Sequence, residues 1–194
     1  MTDMTAGYDV AAEKTSRFRP LGGRCHAIPG YDDAMYLDAL SFLEDERDAW
    51  RPFEALLDLT DEQLELPVAG AHGWSGRLLM GHLVAWQLVG LEVAKELAIR
   101  EASPAKARAD ADWAERGGEV VNAEIDADWA ARPIDEVRAE FARVAGELRG
   151  FLTVVPESRW IKNADHQRFF VDETLDHYEE HRADLAAILA ASNA

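Results

Sequence analysis

The sequence has little cysteine and few positive charges, and both shortages exclude classes of protein. Cys25 is the only cysteine among 194 residues, so internal disulfides are impossible and a reducing, cytoplasmic location is expected. Lysine and arginine number 20 against 37 aspartates and glutamates, which gives a formal net charge of −17. Because such a chain repels phosphate backbones and anionic membranes, we expect neither nucleic acid nor a membrane as its partner.

Long hydrophobic runs are also lacking. The most apolar uncharged run, Leu78 to Leu91, is 14 residues long and too short to span a bilayer. The N-terminus has no apolar stretch after a basic cluster, so a secretory signal is not expected. Hydrophobic residues nevertheless make up 48% of the chain, which is enough to form the core of one compact domain.

Apolar residues recur at spacings of three and four, which predicts helices rather than strands. Four long helices are predicted over about 31–59, 75–100, 133–156 and 169–191, with a kink or break just before Pro52 in the first. A polar linker, an acid-rich stretch through Trp113 and a shorter helical segment are expected between the second and third. The sequence therefore predicts an all-α four-helix bundle over residues 31–194, preceded by an irregular N-terminal arm over residues 1–30.

Three of the six histidines lie on the predicted apolar stripes: His82 on the second helix, and His177 and His181 on the last. His177 and His181 are four residues apart, so their rings project from one face roughly 6 Å apart and can reach the same ion. His82 is the candidate third ligand, which would complete a three-histidine site with an open coordination position. The alternative is that each histidine is a core residue hydrogen-bonded to a carbonyl or hydroxyl group.

Two segments of the sequence resemble a known family. The segment Gly73-Trp74-Ser75, followed by His82 to Trp86, and the segment Thr174 to His181 resemble the DinB-like (YfiT-type) superfamily of metal-binding four-helix bundles. The likeness covers about residues 33–191. This superfamily includes the N-terminal domain of mycothiol-dependent maleylpyruvate isomerase, bacillithiol transferases and ClbS-like resistance proteins.

The resemblance implies a metal triad, with one histidine on the second helix and a pair spaced by four on the last. His82, His177 and His181 match these positions. It also implies a bacterial protein that binds one divalent ion (Zn, Ni or Fe). A homodimer is a further expectation from the resemblance. Neutral imidazoles suit Zn, Ni, Cu and Fe alike, so the ligands do not identify the metal.

The activity that the resemblance implies is that of a metal-dependent enzyme acting on a small molecule. Thiol-dependent S-transfer, isomerisation and hydrolysis are the reactions expected, with a low-molecular-weight thiol as a further cofactor. The alternative is a non-catalytic protein that sequesters a small molecule or a metal. A third interpretation is a purely structural bundle in which the histidines are core residues.

Glu173 and Tyr178 are the candidate catalytic residues. Glu173 lies one turn before His177, where it could orient a ring or act as a base, or else lie on the solvated helix surface. Tyr178 could donate a proton at the mouth of the metal cavity or simply pack in the core. His72 is expected in a loop, and His166, about 16 Å from His177 along a helix axis, cannot share its ion.

The aromatic and amide side chains have two interpretations each. Asn122 and Asn163 are polar residues in apolar surroundings and are candidates to face a ligand. Cys25 has no recognisable base nearby and is not assigned as a nucleophile. The tryptophans could line an apolar pocket or fill the core equally well: Trp74, Trp86, Trp113, Trp129 and Trp160.

Overall fold

The structure is a computed structural model that describes residues 36–193. No strand occurs within this range, so the predicted all-α fold is confirmed. The N-terminal arm predicted over residues 1–30, with Cys25, lies outside the described residues. Eight α-helices occur in residues 36–193: α1 Ala39–Trp50, α2 Asp61–Leu64, α3 Gly76–Ile99, α4 Pro104–Arg116, α5 Gly118–Ala131, α6 Ile134–Leu152, α7 Ala164–Val171 and α8 His177–Ser192.

Side-chain caps determine where several of these helices begin. Asp38 accepts a hydrogen bond from the Ser41 backbone N–H and caps α1. Ser75 caps α3 in the same way, as its position in the sequence predicts. Asn163 accepts from the His166 backbone N–H and caps α7. The expectation that Asn163 faces a ligand is therefore wrong, because its side chain satisfies a helix terminus.

The first helix breaks just before Pro52, one of the two outcomes that its position predicts. The α-helix stops at Trp50, and the chain continues as a 3₁₀ helix over Arg51–Asp58. Proline has no N–H to donate and its ring clashes with the preceding turn, so the α-helical pattern cannot pass through it. Thr60 and Gln63 then form the predicted capping box at the start of the short helix α2.

The acid-rich stretch through Trp113, to which the sequence pattern assigns no helix, forms α4. Ser103 caps it and Pro104 occupies its first turn, a position that proline favours. Its buried face carries Ala105 and Lys106 instead of a stripe of large apolar residues. The Lys106 ammonium pairs with Asp110 at 2.8 Å. A helix whose inner face is small and charged escapes detection by hydrophobic periodicity.

The last long helix begins earlier than predicted and contains an irregular turn. It starts with α7 at Ala164, not near Phe169, and a π-helical segment, Asp172–Asp176, joins α7 to α8. A π turn holds one residue more than an α turn and changes the direction of every side chain that follows. This turn lies immediately before His177 and sets the face on which the histidine pair is presented.

Two hydrophobic clusters form the core of the bundle. One gathers around Trp50, Leu83 and Phe141, and the other around Phe42 and Trp160. Trp129 and Trp160 belong to these clusters, so both are core residues rather than pocket walls. Burying each large apolar side chain contributes about 1.5–3 kcal/mol, which holds the long helices side by side. Within residues 36–193, no helix is long and apolar enough to cross a membrane.

Candidate metal centre

The structure brings the three histidines predicted as ligands to one place inside the bundle. One ring nitrogen from each of His82, His177 and His181 lies within 4.8 Å of the other two. The Nε2 atoms of His82 and His177 are 3.0 Å apart, and all three rings are buried. One helix supplies the first ligand, and the facing helix α8 supplies the pair, as the spacing in the sequence predicts.

Two of the rings have a carboxylate partner on their outer nitrogen. His82 Nδ1 lies 3.0 Å from Asp126 Oδ1, and His181 Nδ1 lies 3.0 Å from Asp184 Oδ2. A carboxylate oxygen only accepts, so Nδ1 of these two rings carries the proton and their Nε2 atoms keep the lone pair. These partners determine both the tautomer and the direction of the rings.

The arrangement fits a divalent cation. Two Nε2 lone pairs face each other at 3.0 Å, and His181 Nε2 is buried with no hydrogen-bond partner. Buried acceptors without donors are costly, whereas a cation among them accepts all three lone pairs. Burial holds the pKa of His177 well below its usual value, and burial also lowers the pKa of His82 against the opposing bond from Asp126. Burial therefore favours the neutral form of His82 and His177, which is the form that binds metal.

Gly81 allows α5 to approach α3 closely and so positions Asp126. A Cβ atom at Gly81 would lie 2.6 Å from the Cβ of Trp129 on α5, closer than two side chains can pack. This contact brings the Asp126 carboxylate, one turn earlier on α5, to His82. Sequence reasoning missed Asp126, because no local signal connects residues 44 positions apart. Asp184 was also missed, although its position three residues after His181 is a detectable signal.

Trp74 covers one side of the three histidines. Its ring stacks on His181 at a centroid distance of 5.1 Å and meets His82 edge-on at 4.9 Å. The loop that carries it turns through His72 and Gly73, which both have positive φ angles. His72 itself is exposed, as predicted. Trp74 is thus a wall of the site, one of the two roles that the sequence allowed.

The Glu173 side chain is buried, so the expectation that it lies on a solvated helix surface is wrong. Only 7% of its surface is exposed. Burial, reinforced by the nearby Asp172 and Asp110 carboxylates, raises its pKa to about 8. The π-helical segment that carries Glu173 packs against α1 and α3.

Tyr178 points into a buried polar network instead of the mouth of a cavity. Its hydroxyl donates to Glu46 Oε1 at 2.9 Å and accepts from Gln87 Nε2 at 2.8 Å. Arg149 Nη1 donates to the second oxygen of Glu46 at 2.9 Å. This polar network joins α1, α3, α6 and α8. Burial raises the pKa of Tyr178 well above its usual value, so the phenol stays protonated.

The remaining predicted residues lie around or away from the centre. His166 Nδ1 is bonded to the Arg159 carbonyl at 2.6 Å, and the ring is not among the three that converge. Trp86 Nε1 donates to Asn122 Oδ1 at 3.1 Å. Trp113 meets the Trp86 ring edge-on, with the centroids 5.5 Å apart. Trp86 and Asn122 lie one helical turn beyond His82 and Asp126, so they adjoin the metal centre.

Comparison with known proteins agrees with this geometry. A family model described as the DinB superfamily matches residues 43–191, a range that contains the three histidines and both aspartates bonded to them. No curated protein and no solved structure matches the chain. The family match covers well over half of the 194 residues. The chain therefore belongs to the DinB superfamily.

Proposed function

We propose that this protein binds one divalent metal ion, Zn, Ni or Fe, through the Nε2 atoms of His82, His177 and His181. The observation that carries the proposal is the convergence of one ring nitrogen from each of these histidines, while Nδ1 of His82 and of His181 already has a carboxylate acceptor. A histidine in a protein core is satisfied by a hydrogen-bond partner on one ring nitrogen. Packing alone therefore does not require the inner nitrogens of the three rings to converge. Membership of the DinB superfamily supports the same assignment.

We further propose that the centre serves a metal-dependent reaction on a small molecule: thiol-dependent S-transfer, isomerisation or hydrolysis. Three protein ligands leave at least one coordination position for a further ligand. When bound, such an ion lowers the pKa of a coordinated water or thiol and so supplies a nucleophile near neutral pH. A low-molecular-weight thiol is the second reactant that we propose.

The side chains around the centre have distinct roles in this proposal. Asp126 and Asp184 hold two rings in the ligating orientation, and Trp74 excludes water from one side. Glu173 is the residue that we propose for proton transfer, because its buried carboxyl group lies one turn from His177 on the same side. We assign Tyr178 to holding α8 in place, since its hydroxyl is engaged by Glu46 and Gln87.

The experiment has two stages. Mass-spectrometric metal analysis of gently purified protein should find about one equivalent of a first-row divalent metal. The loaded protein is then assayed with a panel of thiols and small electrophiles, beside a Glu173→Gln variant. Turnover by the wild type, and loss of turnover with retained metal in the variant, are the expected results. Metal and thiol binding without any product would identify a sequestering protein instead, and no retained metal would contradict the assignment altogether.

A further inference from the structure

Asn122 presents a buried donor that the fold leaves unused. The indole N–H of Trp86 can only donate, so its bond to Asn122 fixes the side-chain oxygen toward Trp86 and turns the amide nitrogen away. That nitrogen, Nδ2, is buried and has no hydrogen-bond partner. Asn122 exposes only 4% of its surface. A buried donor without an acceptor is costly, and its retention calls for a physical reason.

The position of Asn122 follows from the register of α3 and α5. His82 contacts Asp126, and Trp86, four residues further along α3, contacts Asn122, four residues earlier on α5. The two helices therefore run antiparallel, and the pairs are successive rungs separated by about 5–6 Å. Trp74 covers the histidines on one side, and the Trp86–Asn122 rung lies on the other.

Two further elements enclose the same level of the bundle. Helix α8 runs antiparallel to α3, because Gln87 bonds to Tyr178 while Gly76 lies beside Ile188. Glu173, one turn before His177, therefore comes next to the level of Trp86. From α4, the ring of Trp113 packs against Trp86. The unused amide nitrogen thus lies close to the Trp86 and Trp113 rings, about one helical turn from the metal centre.

Of the other unpaired buried atoms in residues 36–193, Gln87 Oε1 belongs to a side chain of the polar network around Tyr178, and Trp160 Nε1 lies within an apolar core cluster. His181 Nε2 and Asn122 Nδ2 are different, since one belongs to the metal centre and the other adjoins it. One is an acceptor, which a bound metal ion would satisfy, and the other is a donor, which an acceptor oxygen about one helical turn away on a ligand of that ion would satisfy.

We propose that Asn122 Nδ2 binds an uncharged carbonyl oxygen, of an amide, ester or ketone, in the small molecule held at the metal centre. This subsite rests on the proposed function, since it concerns the ligand of the same centre. An uncharged acceptor is favoured over a carboxylate because the Asp126 carboxylate lies one helical turn away on α5 and the donor itself is neutral. The flat indole walls of Trp86 and Trp113 suit a planar carbonyl group.

The main test compares two thiols of the same shape on the Co(II)-substituted protein. The amide 3-mercaptopropionamide carries the carbonyl, and 3-methylbutane-1-thiol replaces the amide with an apolar group of equal size. Thiolate binding is followed by the charge-transfer absorption of Co(II). The amide thiol should bind about tenfold more tightly to the wild type, since it satisfies a buried donor.

Two variants separate recognition from structural support. Asn122→Leu and Trp86→Phe both remove the Trp86–Asn122 hydrogen bond, and only the first removes the amide nitrogen. The preference for the amide thiol should disappear in Asn122→Leu and persist in Trp86→Phe. Thermal unfolding and cobalt content of both variants show whether the bundle and its metal centre are retained. A variant that fails to fold is replaced by Asn122→Ala or Trp86→Leu in the same comparison.

A titration with acetamide provides a test that needs no thiol. The side-chain NH₂ signals of Asn122 are assigned in the ¹⁵N spectrum of the zinc protein by their absence in Asn122→Leu. Acetamide should shift these signals. If neither thiol binds to the cobalt protein, thiol chemistry is contradicted but the Asn122 subsite is not. The acetamide titration then decides whether the subsite exists.

The outcomes are distinct. Equal affinity of the two thiols for the wild type, or a preference that survives Asn122→Leu, overturns the subsite and leaves thiol chemistry standing. Absence of thiol binding with shifted Asn122 signals overturns the thiol proposal and retains the subsite. Absence of both effects overturns the two proposals together, and the amide is then only a partner of Trp86.

Discussion

Gly81 is the position where one added methyl group tests how closely α5 must approach the metal centre. A Cβ atom there would lie 2.6 Å from Trp129 Cβ, and ordinary contact begins at 3.4 Å. Gly81→Ala must therefore displace α5 by about 0.8 Å. The same displacement would lengthen the 3.0 Å bond between His82 and Asp126 to about 3.8 Å, beyond hydrogen-bonding range.

Two quantities should change together. Overpacking costs about 1–3 kcal/mol, and alanine recovers about 0.5–1 kcal/mol over glycine in a helix, so a net loss of about 1–2 kcal/mol in unfolding free energy is expected. Loss of the orienting carboxylate should weaken metal binding at least ~10-fold. Urea unfolding of the metal-free protein measures the first quantity, and competition with a chelator measures the second.

Gly146→Ala is the matched control. Gly146 lies inside α6, and a Cβ atom there would meet nothing within 4 Å. The control should gain about 0.5–1 kcal/mol of stability and keep its metal affinity. If Gly81→Ala shows the same gain and the same affinity as the control, close packing of α5 does not hold Asp126 in place, and the account of its position is wrong.

Three further predictions concern the ligands, their partners and the polar network. His181→Ala should abolish tight metal binding in a chelator titration, whereas His72→Ala, which alters an exposed loop, should leave the affinity unchanged; equal affinities would refute the ligand assignment. Asp184→Asn should weaken metal affinity about 10–100-fold while most helical circular dichroism is retained; full affinity would show that the carboxylate does not orient the ring. Burial raises the pKa of Glu46 against the opposing charge of Arg149, so the folded state binds its proton more tightly than the unfolded state. The unfolding free energy of the wild type, minus that of Glu46→Gln, should therefore be greatest below about pH 4.5 and decline as pH rises toward the folded-state pKa. Urea unfolding at several pH values measures this difference, and an increase of the difference with pH would contradict the prediction.

The sequence predicts the metal ligands because their signals are local. Spacings of three and four place His177 and His181 on one face, and the Ser75 cap fixes the start of the helix that carries His82. Packing of helices distant in sequence is not a local property. Asp126 reaches His82 only because α5 lies against Gly81, and the sequence does not specify that approach.

The errors in the sequence-based prediction have separate physical causes. Helix α4 has a small and charged inner face with buried Lys106, so few large apolar residues indicate a helix there. Glu173 is buried because the π segment that carries it packs against α1 and α3, a contact between elements distant in sequence. The π segment over Asp172–Asp176 also has no recognisable sequence signature, yet it sets the register of the last helix.

The polar network around Glu46 determines which side of the bundle can open. Tyr178 follows His177 in the chain and is tied through Glu46 and Gln87 to α1 and α3. Arg149 adds α6 to the same network. Separating these helices would expose a buried carboxylate and break several bonds at once, which makes that side of the bundle a rigid frame. Helices α4 and α5 contribute no side chain to this network, so we expect a small molecule to enter the bundle on their side, past the half-buried Trp113 of α4.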